Sequence, residues 1–160
     1  MKKSQGVINL NWNLKRFEEL TLNEIYEILR VRNEVFVVEQ NCAYQDCDGK
    51  DINSYHLYSE DNGRIISYLR IIDKGVSYNE VSIGRVLVRK NYRGKGISRR
   101  MMIEAIKFIE QTLNEKEIRI QAQAYLIEFY KSFGFIEISG EYTEDGIPHI
   151  DMLYKKSGGR

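Results

Sequence analysis

Cysteine, proline and histidine are scarce in this sequence, and their scarcity excludes several classes of protein. The 160 residues include two Cys, one Pro and two His. Two cysteines, Cys42 and Cys47, are too few for a disulfide framework, so we expect free thiols in a reducing cytosol. A structural zinc site needs four ligands, and no histidine lies near this pair in sequence. No metal site is therefore predicted.

An excess of charge of one sign and long apolar runs are also absent. The 24 Lys and Arg residues nearly cancel the 23 Asp and Glu residues and leave a formal net charge of +1. This balance argues against a globally basic nucleic-acid-binding protein. No stretch approaches the roughly 20 apolar residues of a membrane span, and no apolar segment follows the basic N-terminus as in a secretory signal. We expect a cytoplasmic protein with neither a membrane nor a nucleic-acid partner.

The length and the even composition predict a single domain. A chain of 160 residues suits one core, and 42% of its residues are hydrophobic. No repeat and no Pro/Gly/Ser-rich linker divides the chain. The one Gly/Ser cluster lies at 157–160 and predicts a frayed tail behind a domain that covers 1–156.

Hydrophobic periodicity predicts alternating strands and helices. A helix is expected from a capping box at Thr21 and Glu24 to about Gln40, a second over 98–113 capped by Ser98, and a third over 126–133. Strands are expected at 8–17, 55–60, 64–72, 81–89, 118–122, 135–141 and 147–154. This order predicts an α/β (α+β) fold with a single mixed, mostly antiparallel central sheet flanked by helices. The helix at 98–113 would connect two parallel strands.

The segment from Arg89 to Arg100 carries the clearest chemical signal, because six of its twelve residues are basic and none is acidic. Gly94 and Gly96 let the backbone approach a ligand closely, and free N–H groups at the start of the next helix form an anion site. The glycine patterns of P-loop NTPases and of dinucleotide-binding folds are both absent. We therefore expect a different phosphate-bearing ligand, with a solvated basic helix start as the alternative.

Two motifs resemble those of the GCN5-related N-acetyltransferase (GNAT) family. Residues 93–98 (RGKGIS) resemble the family's Q/R-x-x-G-x-G/A turn, with Ser98 in place of Gly or Ala. Residues 125–135 (YLIEFYKSFGF) are similar to its helix that ends in F-Y-x-x-x-G-F. Further segments, at 35–40, 44–46, 48–49, 83–86, 121–124 and 144–149, resemble the ElaA-like branch of small bacterial GNAT proteins. The resemblance implies the GNAT acyl-CoA N-acyltransferase fold and transfer of the acetyl group of acetyl-CoA to an amine.

The resemblance also implies how acetyl-CoA would be bound. In the family the turn holds the pyrophosphate, which here assigns Arg93, Gly94, Lys95, Gly96, Ile97, Ser98 and Arg99. The backbone of Val86, Leu87 and Val88 would pair with the pantetheine arm as an added strand. Gln123 stands where the family often has an Asn that contacts this arm. The partner of the 3′-phosphate is left open among Arg89, Lys90, Lys95 and Arg100.

Tyr130 is the general acid that the resemblance implies, because a tyrosine at this place in the family protonates the leaving thiolate. A phenol has a pKa near ~10 and is protonated at neutral pH, as this role requires. The residues alone would also fit a helix aromatic packed in the core.

The general base is open among several acidic and histidine residues. Glu39 would end the first helix on the acceptor side, and His149 follows a bend that can aim its ring into a cleft. Asp46 and Asp48 are further candidates. His56 lies inside a strand, where a packed structural role is favoured.

Arg85 lies within a strand and needs a partner there. It would either order the polar 41–54 loop by pairing with Asp46 or Asp48, or bind an acidic acceptor. In the ElaA-like branch this loop flanks the acceptor site, so we interpret it as a specificity loop. The acceptor amine stays open, and a homodimer is one reading of the oligomeric state. Two alternatives to an enzyme are a catalytically silent acyl-CoA sensor and an RNA-binding domain.

Overall fold

A computed structural model of the chain, which describes residues 9–158, has one eight-stranded sheet with helices packed on both faces. In chain order the elements are β1 (Trp12–Arg16), α1 (Leu22–Arg32), β2 (Ser54–Asp61), β3 (Arg64–Ile72), β4 (Val81–Val88), α2 (Ile97–Gln111), β5 (Glu117–Gln123), α3 (Ile127–Lys131), β6 (Ile136–Glu137), β7 (Tyr142–Glu144) and β8 (Ile147–Lys155). A π-helix over Asn33–Glu39 follows α1 directly.

The strands lie in the order β1-β2-β3-β4-β5-β8-β6, and β7 also pairs with β8. β4 and β5 are parallel, and the other pairs are antiparallel. The expected mixed, mostly antiparallel sheet is thus confirmed, as is the parallel step through α2.

Each face of the sheet has its own core, because side chains alternate along a strand. On β3, Leu69 and Ile71 pack in the core under α2, whereas Tyr68 packs in the smaller core under α1. The helices contribute apolar stripes to these cores, such as Met101 on α2 and Ile28 on α1. Each fully buried side chain of this kind stabilises the fold by roughly 1.5–3 kcal/mol, so packing holds both helices in place.

The start of α1 is as predicted, and its end is not. Thr21 Oγ1 accepts from the Glu24 N–H at 3.1 Å, and Glu24 Oε1 accepts from the Thr21 N–H at 3.0 Å. This capping box satisfies donors that the first turn leaves free. The expected continuous helix to Gln40 is wrong in type, because the α-helix ends at Arg32 and the wider π-helix replaces its last turns.

Two further predictions about element boundaries are wrong. Ser98 does not cap α2, because Gly96 occupies the N-cap position with φ +76°, a left-handed conformation that glycine adopts at little cost. The strand expected at 135–141 is interrupted after β6. There the hydroxyl of Ser139 accepts a hydrogen bond from the Asp151 N–H at 2.9 Å, in place of the backbone carbonyl that a paired strand would supply.

Some predictions fall at or beyond the ends of the described residues. The first strand begins at Trp12, later than expected, and Ile8 lies outside the described part. In the expected tail, residues 157 and 158 have no regular structure, and residues 159 and 160 lie outside the description.

Candidate active site

The parallel strands β4 and β5 pair only where they begin. Val81 lies opposite Ile118 and Ser82 opposite Arg119, after which the strands separate and leave a cleft of about 780 Å³. This volume is in the range of small-molecule sites. The β4 edge from Ile83 onward that faces the cleft has no strand partner in the described chain. Its backbone groups can pair with an extended ligand as a neighbouring strand would.

A bulge in β4 accounts for the separation. The β3–β4 pairing passes from Tyr68 opposite Leu87 to Arg70 opposite Gly84, so two β4 residues face one β3 residue. Arg85, the first of these two, has φ +52°. A bulge of this kind bends its strand and increases the local twist. β4 is therefore turned away from β5 just beyond their short paired segment.

The turn that follows β4 presents a row of free backbone donors. Gly94 and Gly96 both have φ +76°, which turns the chain sharply into α2. The backbone N–H groups of residues 94–99 donate no hydrogen bond to any other part of the described chain. Together with the positive end of the α2 dipole they form an anion site. Arg93 and Ser98 of the same turn line the cleft.

The basic side chains of this segment differ in their partners. Arg89 Nε lies 2.9 Å from Glu34, and Arg93 donates from Nε to the Val88 carbonyl at 2.8 Å. Arg99 donates to Ser132 Oγ at 3.0 Å, and its guanidinium carbon lies 4.9 Å from the centre of the Phe133 ring.

Two lysines of the segment are left without a carboxylate. Lys90 and Lys95 form no ion pair with another residue in 9–158, and the Lys95 ammonium lies 5.6 Å from the ring centre of Tyr92. Both positive charges remain available to a phosphate ligand.

Tyr130 lies on α3, where its ring packs against other aromatic rings and the residue also lines the cleft. Its ring contacts Phe129 at 5.1 Å and Phe135 at 6.0 Å between centres, and 6% of the residue is exposed. Its hydroxyl makes no hydrogen bond with another described residue. Burial raises the pKa of Tyr130, and the neighbouring Tyr125 adds to this effect. The phenol therefore remains protonated over the physiological pH range.

His149 lines the same cleft from β8 with one ring nitrogen free. Nδ1 lies 2.7 Å from the carbonyl oxygen of Ile147. A carbonyl only accepts, so Nδ1 carries the proton and Nε2 of the neutral ring holds the lone pair. The ring stacks on Tyr142 at 6.3 Å, which fixes its orientation.

Glu39 also lines the cleft, but its carboxylate is engaged. Oε2 lies 2.6 Å from Arg93 Nη2, which ties the end of the π-helix to the turn before α2. Two weaker contacts link the following residues to the opposite wall. Gln123 Nε2 lies 3.5 Å from Gln40 Oε1, and the Cys42 thiol lies 3.4 Å from the Asp145 carbonyl.

Asp46 and Asp48 lie in a network of ion pairs beside the cleft. Asp46 accepts from Arg32 Nε and from Arg85 Nε, both at 2.9 Å. The Asp48 carboxylate accepts hydrogen bonds from both terminal nitrogens of Arg70, at 2.8 and 2.5 Å, and from Arg85 at 3.4 Å. Burial would raise the pKa of Asp48, but Arg70 outweighs it and holds the pKa below its usual range. The pairing of Arg85 with the 41–54 loop is therefore the option that the structure shows.

Three members of this network were not identified from the sequence. Asp51 bridges Arg32 at 2.7 Å and Arg70 at 3.0 Å. Both arginines are almost fully buried, at 0% and 2% exposure. A signal was present: Arg32 falls on the apolar stripe of its helix, and Arg70 lies between two buried apolar residues. A cation at such a position requires an anionic partner.

His56 has the packed role that was expected. It is buried, its Nε2 lies 2.9 Å from the Asp51 carbonyl, and its Nδ1 lies 2.7 Å from the Tyr68 hydroxyl. Nε2 must donate to the carbonyl, so Nδ1 accepts from the tyrosine. Burial lowers the pKa of His56 and keeps the ring neutral.

Two glutamines of β5 line the cleft. Along β5, Ile118, Ile120 and Ala122 point into the core under α2, so Gln121 and Gln123 point to the opposite face. Residues 9–158 contain no group of three or more His, Cys, Asp or Glu that could hold a metal ion. None of the helices in this range is long and apolar enough to cross a membrane.

Comparison with known families identifies the class to which this fold and cleft belong. The family model described as an acetyltransferase (GNAT) domain matches residues 19–156. The chain therefore belongs to the GNAT family, a family of N-acyltransferases, and its sheet and helices have the GNAT fold.

Within that family the chain is similar to the ElaA proteins. It is 38% identical to ElaA of Escherichia coli over 145 residues, which cover 89% of this chain and 95% of ElaA. The crystal structure of E. coli ElaA superposes with a TM-score of 0.86 at 36% identity, covering 92% of this chain and 100% of that one.

Two other relatives extend the comparison. The crystal structure of an acyl-CoA N-acyltransferase from Pseudomonas aeruginosa has a TM-score of 0.87 at 38% identity and covers 91% of this chain and 99% of that chain. A UPF0039 protein of Schizosaccharomyces pombe is 38% identical over 146 residues, or 90% of this chain and 96% of its own. Relatives at this level of identity are therefore not confined to bacteria.

Proposed function

We propose that this protein transfers the acetyl group of acetyl-CoA to a primary amine by direct attack in a ternary complex. Membership of the GNAT family and similarity to an acyl-CoA N-acyltransferase support acyl transfer from an acyl-CoA. The observation that carries the proposal is the open edge of β4, which leads directly into a turn with six unused backbone donors.

The residues around the cleft suit a ligand with a long amide-containing arm and phosphates at one end. The backbone of Val86, Leu87 and Val88 would pair with the pantetheine amides, with Gln123 facing them across the cleft. The N–H groups of residues 94–99 would bind the pyrophosphate. Lys90 and Lys95 are the favoured partners of the 3′-phosphate, because neither has a carboxylate partner among the described residues.

Tyr130 would act as the general acid. As the amine nitrogen forms its bond to the thioester carbon, the carbon–sulfur bond breaks and the thiolate sulfur takes the Tyr130 proton. A phenol is protonated at neutral pH, so its proton is in place when the thiolate forms. Because the hydroxyl has no hydrogen-bond partner within residues 9–158, it is free to donate.

His149 would act as the general base through Nε2, either directly or through a water molecule. An amine must lose a proton to attack, and Nε2 carries a lone pair in the tautomer that the Ile147 carbonyl selects. Glu39 is the weaker candidate because its carboxylate is paired with Arg93. The polar sheet face beside His149 supports a hydrophilic acceptor.

The cellular location that we propose is the cytoplasm. Cys42 and Cys47 are both free thiols, which supports a reducing environment.

One experiment tests the donor, the reaction and the acid together. The purified protein and a Tyr130→Phe variant are melted with acetyl-CoA, CoA or ATP, and then assayed with spermidine, lysine, a lysine-containing peptide and an aminoglycoside. Acetyl-CoA at ~100 times its Kd should stabilise both proteins by about 2.7 kcal/mol, and ATP should not. The variant should lose about 100-fold in kcat because general acid catalysis is removed, with its acetyl-CoA affinity retained.

Three results would count against the proposal or a part of it, each in a different way. Stabilisation by acetyl-CoA without turnover of any amine would favour a silent acyl-CoA sensor. No stabilisation by acetyl-CoA would mean that the turn at residues 94–99 does not bind the pyrophosphate. An unchanged kcat in Tyr130→Phe would remove Tyr130 from the acid role alone.

A further inference from the structure

Arg85 has a backbone conformation that its residue type rarely adopts. Its φ of +52° lies in the left-handed region, and it forms the bulge at which β4 turns away from β5. Glycine would adopt this conformation at lower cost. An arginine at such a position is maintained only when its surroundings hold it there, which points to a role for its side chain.

The guanidinium of Arg85 forms several hydrogen bonds with the 41–54 loop. Nε donates to Asp46 Oδ1 at 2.9 Å, and Nη2 donates to the Asp46 carbonyl at 3.0 Å and to Asp48 Oδ2 at 3.4 Å. The ring centre of Tyr44 lies 5.3 Å from the guanidinium carbon, and its hydroxyl donates to the same Asp46 carboxylate at 2.6 Å. Main-chain and side-chain groups of the loop are therefore bound to β4 through one residue.

The remaining ion pairs hold the other side of the loop. Asp46, Asp48 and Asp51 are shared among Arg32, Arg70 and Arg85, so that three positive and three negative charges balance. Arg32 belongs to α1 and Arg70 to β3. Among the described members of this network, Arg85 is the one that belongs to the bulged strand, so through it the network connects the loop to the edge at which the donor would bind.

The loop held in this way forms one wall of the cleft. Its cleft-lining residues are Cys42, Tyr44, Gln45, Asp48 and Lys50. Reacting groups must be held within a fraction of an ångström for efficient transfer. A loop that moves relative to β4 would lose the geometry between the acceptor and the donor.

We propose that Arg85 is a positioning residue for the acceptor: it clamps the 41–54 loop to the β4 bulge and so sets the wall of the acceptor site relative to the donor edge. The proposal rests on the proposed acyl transfer for its kinetic consequence. The clamp itself acts on the loop whether or not substrate is bound.

Two variants of Arg85 separate the clamp from the bulge. Arg85→Gly removes every contact with the loop but suits the left-handed backbone. Arg85→Lys keeps one positive charge near Asp46 but not the forked geometry, and it keeps the backbone strain. If the clamp matters, the KM for the acceptor should rise modestly in Arg85→Lys and by about ten-fold or more in Arg85→Gly, with the acetyl-CoA Kd unchanged in both.

The kinetic assay uses acetyl-CoA and the amine of the four above that the wild-type protein acetylates fastest. Arg64 supplies the matched control, because it is an exposed arginine at the start of β3 without an ion pair in the described chain. Arg64→Lys and Arg64→Gly should leave the acceptor KM unchanged. Hydrogen exchange without any substrate should show faster exchange at residues 41–49 in Arg85→Gly than in the wild type.

The possible results distinguish this proposal from the function on which it rests. No turnover by the wild-type protein contradicts the proposed function. If the wild-type protein turns over, the role of Arg85 is overturned by an acceptor KM that rises more in Arg85→Lys than in Arg85→Gly, or by one that is unchanged in Arg85→Gly. If Arg85→Gly does not fold, the KM of Arg85→Lys and its exchange at residues 41–49 decide the question alone, since both should be altered relative to Arg64→Lys.

Discussion

His149 and Glu39 are both candidate bases by sequence, and their hydrogen-bond partners separate them. The Ile147 carbonyl accepts from His149 Nδ1 and leaves Nε2 open to the cleft, whereas the Glu39 carboxylate lies against Arg93. The Glu39 carboxylate oxygen is already occupied by Arg93, whereas Nε2 of His149 has no partner among the described residues. Whether each residue can accept a proton thus depends on one neighbour. For Glu39 this is Arg93, 54 positions away in sequence, and for His149 it is Ile147, two positions away.

This difference predicts that two glutamine substitutions have different effects on kcat. His149→Gln should lower kcat by about 100-fold, because it removes the lone pair at Nε2. Glu39→Gln should leave kcat nearly unchanged and tighten acetyl-CoA binding, because it releases Arg93 toward the pyrophosphate. Steady-state kinetics and calorimetric titration with acetyl-CoA measure the two effects. A large loss of kcat in Glu39→Gln with a normal rate in His149→Gln would reverse the assignment.

At the scale of elements, the turn between β4 and α2 combines left-handed glycines with a row of unused backbone N–H donors. A Cβ atom at Gly94 would meet no protein atom within 4 Å, so the protein itself does not require the space. Its φ of +76° does require glycine. The space is the path by which a phosphate group would approach the N–H groups.

Gly94→Ala should therefore weaken acetyl-CoA binding more than it weakens the fold. Gly63, in the β2–β3 hairpin, has the same φ of +76° and also has nothing near its Cβ position. Both substitutions should cost roughly 1–2 kcal/mol of stability through left-handed strain. Gly94→Ala alone should raise the acetyl-CoA Kd, by about ten-fold or more, because the methyl group blocks close approach of the pyrophosphate. Equal Kd values in the two variants would show that the turn is not the phosphate site.

The π-helix is the element that links the two ends of the cleft. Its Glu34 pairs with Arg89 and its Glu39 with Arg93, one on each side of the short turn after β4. Single π-helical segments within longer helices are frequent at functional sites. Residues 40–42, which follow it, contact the opposite wall at Gln123 and Asp145. This element therefore borders the turn before α2 and leads into residues that contact the opposite wall of the cleft.

At the scale of the whole molecule, the ionised carboxylates predict how the fold responds to acid. Burial would raise the pKa of Glu24, but hydrogen bonds from Lys15, Tyr58 and Thr21 lower it to about 2. The pKa of Asp48 and that of Asp51 are also lowered, because their arginine partners outweigh the effect of burial. A carboxyl group with a lowered pKa in the folded state binds fewer protons there than in the unfolded chain. Its stabilising contribution is complete above its unfolded pKa and is lost as pH falls.

The melting temperature should therefore decrease steeply once pH falls below about 4.5, with an earlier, smaller decrease below about 6.5 from the buried neutral His56. Glu24→Gln isolates one contribution. It should be less stable than the wild type at neutral pH, and the difference should shrink between about pH 4.5 and about pH 2. Thermal unfolding across this range measures both. A difference that stays constant with pH would mean that Glu24 acts through packing and not through its charge.

The secondary-structure elements show which features of the fold can be predicted from local sequence patterns. The α1 capping box, the parallel β4-α2-β5 step and the glycine turn could all be predicted, because each depends on residues that lie close together in sequence. The π-helix could not be predicted, because apolar spacing does not distinguish a π-helix from an α-helix. The Gly96 cap could not be predicted either, because Ser98 is also a favourable N-cap residue and only the tertiary structure shows that the chain turns at Gly96.

By itself the sequence determined the class of fold, the family and the segment that suits phosphates, because periodicity and turn chemistry are local properties of the chain. Only the tertiary structure decided which charges meet. Arg85 and Asp46 are 39 positions apart, and Arg93 and Glu39 are 54 apart. Such pairs form where strands and loops bring distant groups together, and a one-dimensional pattern does not encode that juxtaposition. The occupied carboxylate of Glu39 and the ion pairs of Arg85 with the 41–54 loop are consequences of that packing.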